Sequence, residues 1–295
     1  MTAAANLASA AARPVRSPWR EFLRRFRHER LAILAGAFLL VLALVALCAP
    51  LVAPYDPAEP DYMRILEGPS AAHWAGTDAY GRDILSRIIY GARISLAVGF
   101  LSVTLGGFVG VALGLISGFY GRWVDSAIMR SCDVLLAFPG ILLAIGVIAI
   151  LGPGIDNVIY AVAVFSVPVF ARLVRGSTLA LKQAVYVDAA RAIGVRNRMV
   201  MLRHLLPGTL PSVIVYFSMR IGTAILTAAS LSFIGLGAQP PSPEWGAMLA
   251  DGRSYIGVAS HVTVFPGLAI FVTVLAFNVL GDGLRDALDP KLKRL

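Results

Sequence analysis

Long tracts of this chain carry no charged residue, among them positions 94–121, 134–155, 221–243 and 254–281. An apolar run of about 18 or more residues with few charges is long enough to cross a hydrocarbon layer as a helix. Run length and turn residues predict six spans, at Leu31–Pro50, Ile94–Gly118, Val134–Leu151, Asn157–Ala171, Leu210–Leu236 and Val262–Leu280. Gly152, Pro153 and Gly154 form a tight turn between the third and fourth. The fourth holds only 15 uncharged residues in a row, which puts Asp156 or Arg172 near an interface. Pro139 and Pro168 predict kinks, because proline lacks the amide donor and its ring crowds the preceding turn. The fold class is an all-α membrane protein.

The segments between spans have their own patterns. PLVAPYDPAEPDY, from Pro50, is too rich in proline and acid for regular structure. RDILSRIIYGAR, from Arg82, has helical periodicity and is expected to lie along the surface before the second span. Within that span Gly106, Gly110, Gly114 and Gly118 recur every four residues. One helix face there has almost no side-chain bulk, so a second helix can approach closely, as static packing or as a sliding contact. Trp245, in PPSPEWGAMLADG, is expected at a membrane interface, where tryptophan is enriched, with a cap on the pore as the alternative.

Composition agrees with this layout. Of the 295 residues 58% are hydrophobic and 15% charged, against about 25% charged in soluble domains. The net charge of +9 has no aromatic–basic pattern suited to nucleic acid, and its basic residues flank the spans. With the amino terminus in the cytoplasm, twenty Lys and Arg fall inside and five (Arg64, Arg82, Arg87, Arg93 and Arg253) fall outside, as the positive-inside rule requires. The seven arginines from Arg13 to Arg30 precede the first apolar run, which reads as an uncleaved span. The resulting organisation is a cytoplasmic tail (1–30), a first span (31–50), an extracytoplasmic loop (51–93), a five-span core (94–284) and a cytoplasmic tail (285–295).

No catalytic constellation emerges. The four histidines lie in different segments, the serines have no GxSxG context, and Cys48 and Cys132 have no metal spacing. The chain has no GxxxxGK[ST] phosphate cradle. No cofactor or metal is expected on it. Arg220 stands out, nine residues past Pro211 and so about 14 Å along a helix. A charge at that depth should face the bundle or a water-filled path. It is a candidate for attracting a substrate carboxylate in a translocation path, or for a structural pair.

Between the fourth and fifth spans, residues 185–208 read VYVDAARAIGVRNRMVMLRHLLPG. A short helix is expected around Asp188–Arg191, a turn at Gly194, and a second helix from Val195 toward Leu206, ended by Pro207. Met199, Leu202, Leu205 and Leu206 offer apolar contacts and Arg196, Arg198 and Arg203 polar ones. The physics alone fits either a knob pushed by a soluble partner or an amphipathic helix on lipid headgroups. The order of residues resembles the EAA loop of bacterial ABC importer permeases: Asp188, Ala189, Ala190 and Arg191, then Gly194, then His204, Leu206 and Pro207. Asp stands where Glu is usual, and His204 where Ile is usual. GTDAYGRDILSRIIYGARISLAVG, LSFIGLGAQPPSPEWGAMLADG and FPGLAIFVTVLAFNVLGDGLRDALDPKLK resemble the dipeptide and oligopeptide (nickel) branch, in its second or "C" subunit.

That resemblance implies a type I importer permease fold and a heterodimeric pore with a sister B-type permease. It also implies two ATP-binding subunits, separate or fused, which carry ATP and Mg, and an extracytoplasmic binding protein that delivers a peptide. The expected role is a non-catalytic permease subunit in the bacterial inner membrane. Nickel, glutathione or another small solute is the alternative cargo.

Overall fold

A computed structural model describes residues 18–288. The expectations for 1–17 and 289–295, most of the two tails, lie outside the described residues. Five helices are long and apolar enough to cross a membrane, and a bent pair makes a sixth pass. A short helix α1 (Pro18–Phe26) leads into α2 (Arg30–Leu47), and a single turn α3 (Ala49–Val52) follows. The passes continue with α4 (Ile84–Tyr120), the pair α5 (Arg122–Ala137) and α6 (Gly140–Leu151), and α7 (Ile155–Leu181). Then come α8 (Val185–Ala192), one turn α9 (Asn197–Met199), a π-helical stretch (Val200–Leu205), and α10 (Leu206–Phe233). A short helix α11 (Trp245–Gly252) precedes the last pass, α12 (His261–Leu288). No strand is present among the described residues.

Successive passes alternate in direction. Segment 185–205 therefore marks one end of the bundle, the knob end, and segments 53–83 and 234–260 mark the other, the loop end. Lys182 Nζ donates to Phe119 O, which ties the close of α7 to the close of α4 at the knob end. At the loop end Gly154 N–H donates to Leu236 O and His261 Nε2 meets Thr77 O. Arg30 and Leu288, at the ends of the first and last passes, both lie at the knob end.

The glycine stripe is a packing surface within this chain. A Cβ on Gly106, Gly110 or Gly114 would come within 2.5 Å of the Ala163, Val167 or Ala171 carbonyl of α7, and one on Gly118 would meet Thr178 Cβ at 2.8 Å. The Arg175 carbonyl lies 3.0 Å from the same Gly118 position, so each four-residue step on α4 matches a four-residue step on α7. Where lipid surrounds the helices, such close approach replaces the hydrophobic effect as the source of cohesion. Val103, Phe170, Ile225 and Leu231 form part of the adjoining core, with α10 wedged beside the pair.

Three sequence expectations need correction. Helix α4 begins at Ile84, not Ile94, so residues 84–93 are the first turns of the second span and do not lie along the surface. Asp83 caps them, its carboxylate accepting from Ser86 N–H at 2.7 Å. The third span starts at Arg122, not Val134, and breaks at Pro139 as expected, where α5 and α6 meet at 93°. Pro139 supplies no amide there and holds Phe138 extended, at φ −89° and ψ 137°. Trp245 is no interface residue but fully buried, its Nε1–H donating to Ile88 O at 3.0 Å.

The loop end is held by buried charge. Asp78, Arg82, Asp83 and Arg87 are all at most 6% exposed. Asp78 accepts from Arg82 Nε at 2.7 Å and lies 3.5 Å from Arg87 Nε. Arg87 Nη1 also donates to Pro57 O at 3.0 Å and Pro241 O at 3.4 Å. One guanidinium therefore ties the proline-rich loop, the start of α4 and the 240s loop together. His73 Nδ1 sits 3.0 Å from Asp83 Oδ1.

Candidate coupling site and translocation path

The knob begins with α8. Asp188 lies in its first turn, where a carboxylate complements the helix dipole. The helix ends as glycine dictates. Gly194 takes φ +80°, its N–H donates to Arg191 O at 2.9 Å, and Val195 N–H reaches back to Ala190 O at 3.1 Å. This paired closure needs a left-handed residue that glycine adopts without strain. Nothing lies within 4 Å of the Gly194 Cβ direction, so the constraint is conformational and not one of space.

Two faces result. Val187 and Ala190, three residues apart, are buried, and Val200 and Leu205 join them against Leu115, Phe119 and Val174. Asp188, Ala189, Gly194 and Pro207 are exposed, and Arg191 and Leu206 are intermediate. The Arg191 guanidinium stacks 5.2 Å above the Phe119 ring, which holds it against α4. The outer face also carries apolar groups: Val185, Tyr186, Ile193 and Leu202 are exposed. Of the seven candidate coupling residues, the structure places four on the outer face and turns Ala190 inward. The anchors Val187, Val200 and Phe119 were not singled out from the sequence. An i, i+3 apolar reading of VYVDAARA would have found Val187.

The second helix also differs from expectation. It does not stop at Pro207 but runs from Asn197 through a π-helical stretch straight into α10. A proline ring clashes with the carbonyl four residues back in a regular α-helix. The wider π turns at Val200–Leu205 relieve that crowding and let the chain continue. A π-helical stretch is rare and frequently lies at functional sites. Inside the knob, His204 Nδ1 is buried without a hydrogen-bond partner among the described residues.

Behind the knob, Arg175 of α7 grips Asp125 of α5 with two bonds, Nε–Oδ1 at 2.5 Å and Nη2–Oδ2 at 2.7 Å. Ser117 Oγ of α4 donates to the same carboxylate at 2.5 Å. Three passes therefore converge where displacement of the knob would be felt.

Arg220 sits fourteen residues into α10, about 21 Å from its start and close to mid-span. It is partly buried. Its Nη1 donates to Thr223 Oγ1 at 3.2 Å and its Nε to Ser166 Oγ at 3.4 Å, and the guanidinium lies 4.7 Å from the Phe165 ring centroid. No carboxylate pairs with it among the described residues. Neutral hydroxyls and an aromatic face orient the charge without neutralising it.

Residues 110–294 match the family described as the binding-protein-dependent transport system inner membrane component. Residues 17–69 match the N-terminal transmembrane domain of oligopeptide transport permease C. The chain is 60% identical over 280 residues to the glutathione transport system permease protein GsiD of Pectobacterium atrosepticum, covering 95% of this chain and 93% of that protein. It is 59% identical over 280 residues to GsiD of Escherichia coli O6:K15:H31, covering 95% and 92%. Among solved structures, an inward-facing MetNI methionine ABC transporter chain aligns at TM-score 0.56 and 21% identity, over 70% of this chain and 98% of that one. A chain of an amino acid ABC transporter aligns at 0.53 and 17%, over 68% and 94%. These last two speak to the fold, and the close relatives to the family. The chain thus belongs to the binding-protein-dependent ABC importer permeases of the oligopeptide C branch, as a multi-pass inner-membrane subunit that does not itself hydrolyse ATP.

Proposed function

We propose that this chain forms half of the translocation path of an importer for short peptides, with glutathione, itself a tripeptide, as the first cargo to test. The observation that carries this reading is the 60% identity over 95% of the chain to a glutathione system permease. A sister permease supplies the other half of the path. An extracytoplasmic binding protein delivers cargo at the loop end, and two ATPase subunits, separate or fused, carry ATP and Mg at the knob end. The positive-inside distribution supports this orientation, with both chain termini on the ATPase side.

The mechanism follows from the two faces of the knob. Asp188, Ala189, Gly194 and Pro207 present the outer surface to an ATPase subunit, while Ala190, Arg191 and Leu206 connect it to α4 and the start of α10. Closure of the ATPase pair on ATP pushes the knob. The push reaches α4, α5 and α7 through Phe119 and the Arg175–Asp125 clamp, and α10 through the π-helical stretch. Arg220 rides on α10 and offers its charge to a peptide carboxylate in transit.

Uptake by the reconstituted complex tests the cargo. Labelled glutathione, a dipeptide, a longer peptide and nickel ion should separate clearly, with glutathione or the dipeptide taken up in an ATP-dependent way. Uptake of nickel alone would overturn the reading. Arg220→Gln should slow uptake while leaving protein level and ATPase assembly intact, and unchanged uptake would remove Arg220 from the path.

A further inference from the structure

A groove of about 590 Å³ opens between α2, α4, α10 and α12 at the loop end. Its walls are hydrocarbon, with Leu39 and Leu47 of α2, Phe100 of α4 and Phe277 of α12 among them, and its one charged group is Arg93. Arg93 is exposed. Among the described residues it has no hydrogen-bond or ion-pair partner, unlike Arg82 and Arg87 a few residues earlier on the same stretch.

Depth gives this pairing meaning. Arg93 is the last charge before the uncharged tract 94–121, which at 1.5 Å per residue is about 42 Å of helix, longer than the ~30 Å hydrocarbon core. The guanidinium therefore stands at the headgroup boundary and the groove descends from it. Leu47 to Leu39 on α2, and Arg93 to Phe100 on α4, each cover roughly 10–12 Å along their helices. The groove thus has a cationic mouth at headgroup level and an apolar channel pointing at the bilayer midplane.

We propose that this groove binds one anionic phospholipid from the leaflet at the loop end. Its phosphate pairs with Arg93 and one acyl chain lies along the groove. A helix of another protein could fill the apolar channel but would also have to bring an acid to the boundary. A phospholipid supplies both groups in one molecule with the required order. Charge-assisted hydrogen bonds from a guanidinium to phosphate are the strong kind, and the hydrocarbon walls below the mouth receive the acyl chain.

The test uses the assembled importer, purified in a non-ionic detergent and supplied with phosphatidylglycerol or with phosphatidylcholine of the same chains. Native mass spectrometry reads both subunit assembly and lipid retained. The complex should hold phosphatidylglycerol over phosphatidylcholine by roughly fivefold, because both lipids offer the phosphate but only choline adds an ammonium that neutralises it and repels Arg93. Arg93→Gln should bring the two lipids to parity, and Arg93→Lys should keep most of the preference. Ala97→Trp, an exposed position in the groove wall, should lower retention of both lipids with Arg93 intact. Millimolar inorganic phosphate should not displace the lipid. An unchanged preference in Arg93→Gln, full retention in Ala97→Trp, or displacement by phosphate alone would each overturn the proposal. So would efficient cross-linking of Ala43→Cys to the sister permease, which would show that protein covers the groove.

Discussion

The two ends of this molecule treat charge in opposite ways. At the loop end Asp78, Arg82, Asp83 and Arg87 are buried and bonded to one another and to backbone carbonyls. At the knob end Asp188, Arg196, Arg198 and Arg203 are exposed, and no ion pair holds them among the described residues. A buried charge network fixes one geometry, because each member left without its partner is costly. An exposed charged face anchored by Val187, Val200 and Leu205 keeps its position yet leaves its polar groups free for a partner. One end is therefore a fixed cap, the other an exposed charged face suited to the docking proposed above.

The largest test of that contrast is Asp78→Asn. It leaves two buried guanidinium groups with backbone carbonyls and, 3.8 Å from Arg82, the carboxylate of Asp251, and should destabilise the complex by about 3–5 kcal/mol. Thermal unfolding of the assembled importer in lipid nanodiscs reads this directly, and a change within error would dissolve the cap. Next is Gly194→Val. A β-branched residue at φ +80° costs roughly 1–2 kcal/mol, so the closed turn should lose about five- to thirtyfold in population against its opened form, and uptake per ATP hydrolysed should fall while the bundle stays folded. Asn, which tolerates this conformation better, should restore part of it.

A smaller stability effect is expected at the outer face. Arg198→Ala should shift melting by no more than about 0.5 kcal/mol yet weaken ATPase-subunit association in a salt-dependent way. Equal association at low and high salt would show that this arginine faces no charged partner.

The smallest effect concerns Asp251 of α11. Burial is the first cause pushing its carboxyl above the ordinary aspartate range, with Arg87 and Arg82 pulling it down. The folded state then binds a proton more readily than the unfolded one. Its contribution to stability is present below the unfolded value and lost as pH rises through the folded one. Asp251→Asn should flatten that decline, measured as melting temperature against pH across the acid range.

Much of this was legible in the chain. Uncharged tracts located the passes, because a hydrocarbon layer excludes charge over a fixed length, but they missed α5, which carries Arg122, Asp125, Arg130 and Asp133. The glycine spacing of 106, 110, 114 and 118 announced a close contact but not its partner, since nothing local points to α7. Gly194 was readable as a turn because its chemistry is local. The start of α4 was misjudged, because Arg87 and Arg93 argue against a span until the partners of Arg87 from residues 57, 78 and 241 are known. The continuity through Pro207 was hidden for a similar reason. A proline reads as a stop unless the preceding turns widen, and π-helical turns have no simple sequence pattern. Arg220 was visible as an anomaly, whereas its bed of Ser166, Thr223 and Phe165 required two helices to be brought together.

The account depends on the knob facing the ATPase subunits. A single cysteine at the exposed position Ala189, in a Cys48→Ser, Cys132→Ser background, measures this when intact cells are treated with a membrane-impermeant thiol reagent and the purified complex with a short thiol cross-linker. The proposed orientation predicts no labelling until the membrane is permeabilised, and a cross-link to an ATPase subunit. Labelling in intact cells with no such cross-link would contradict it.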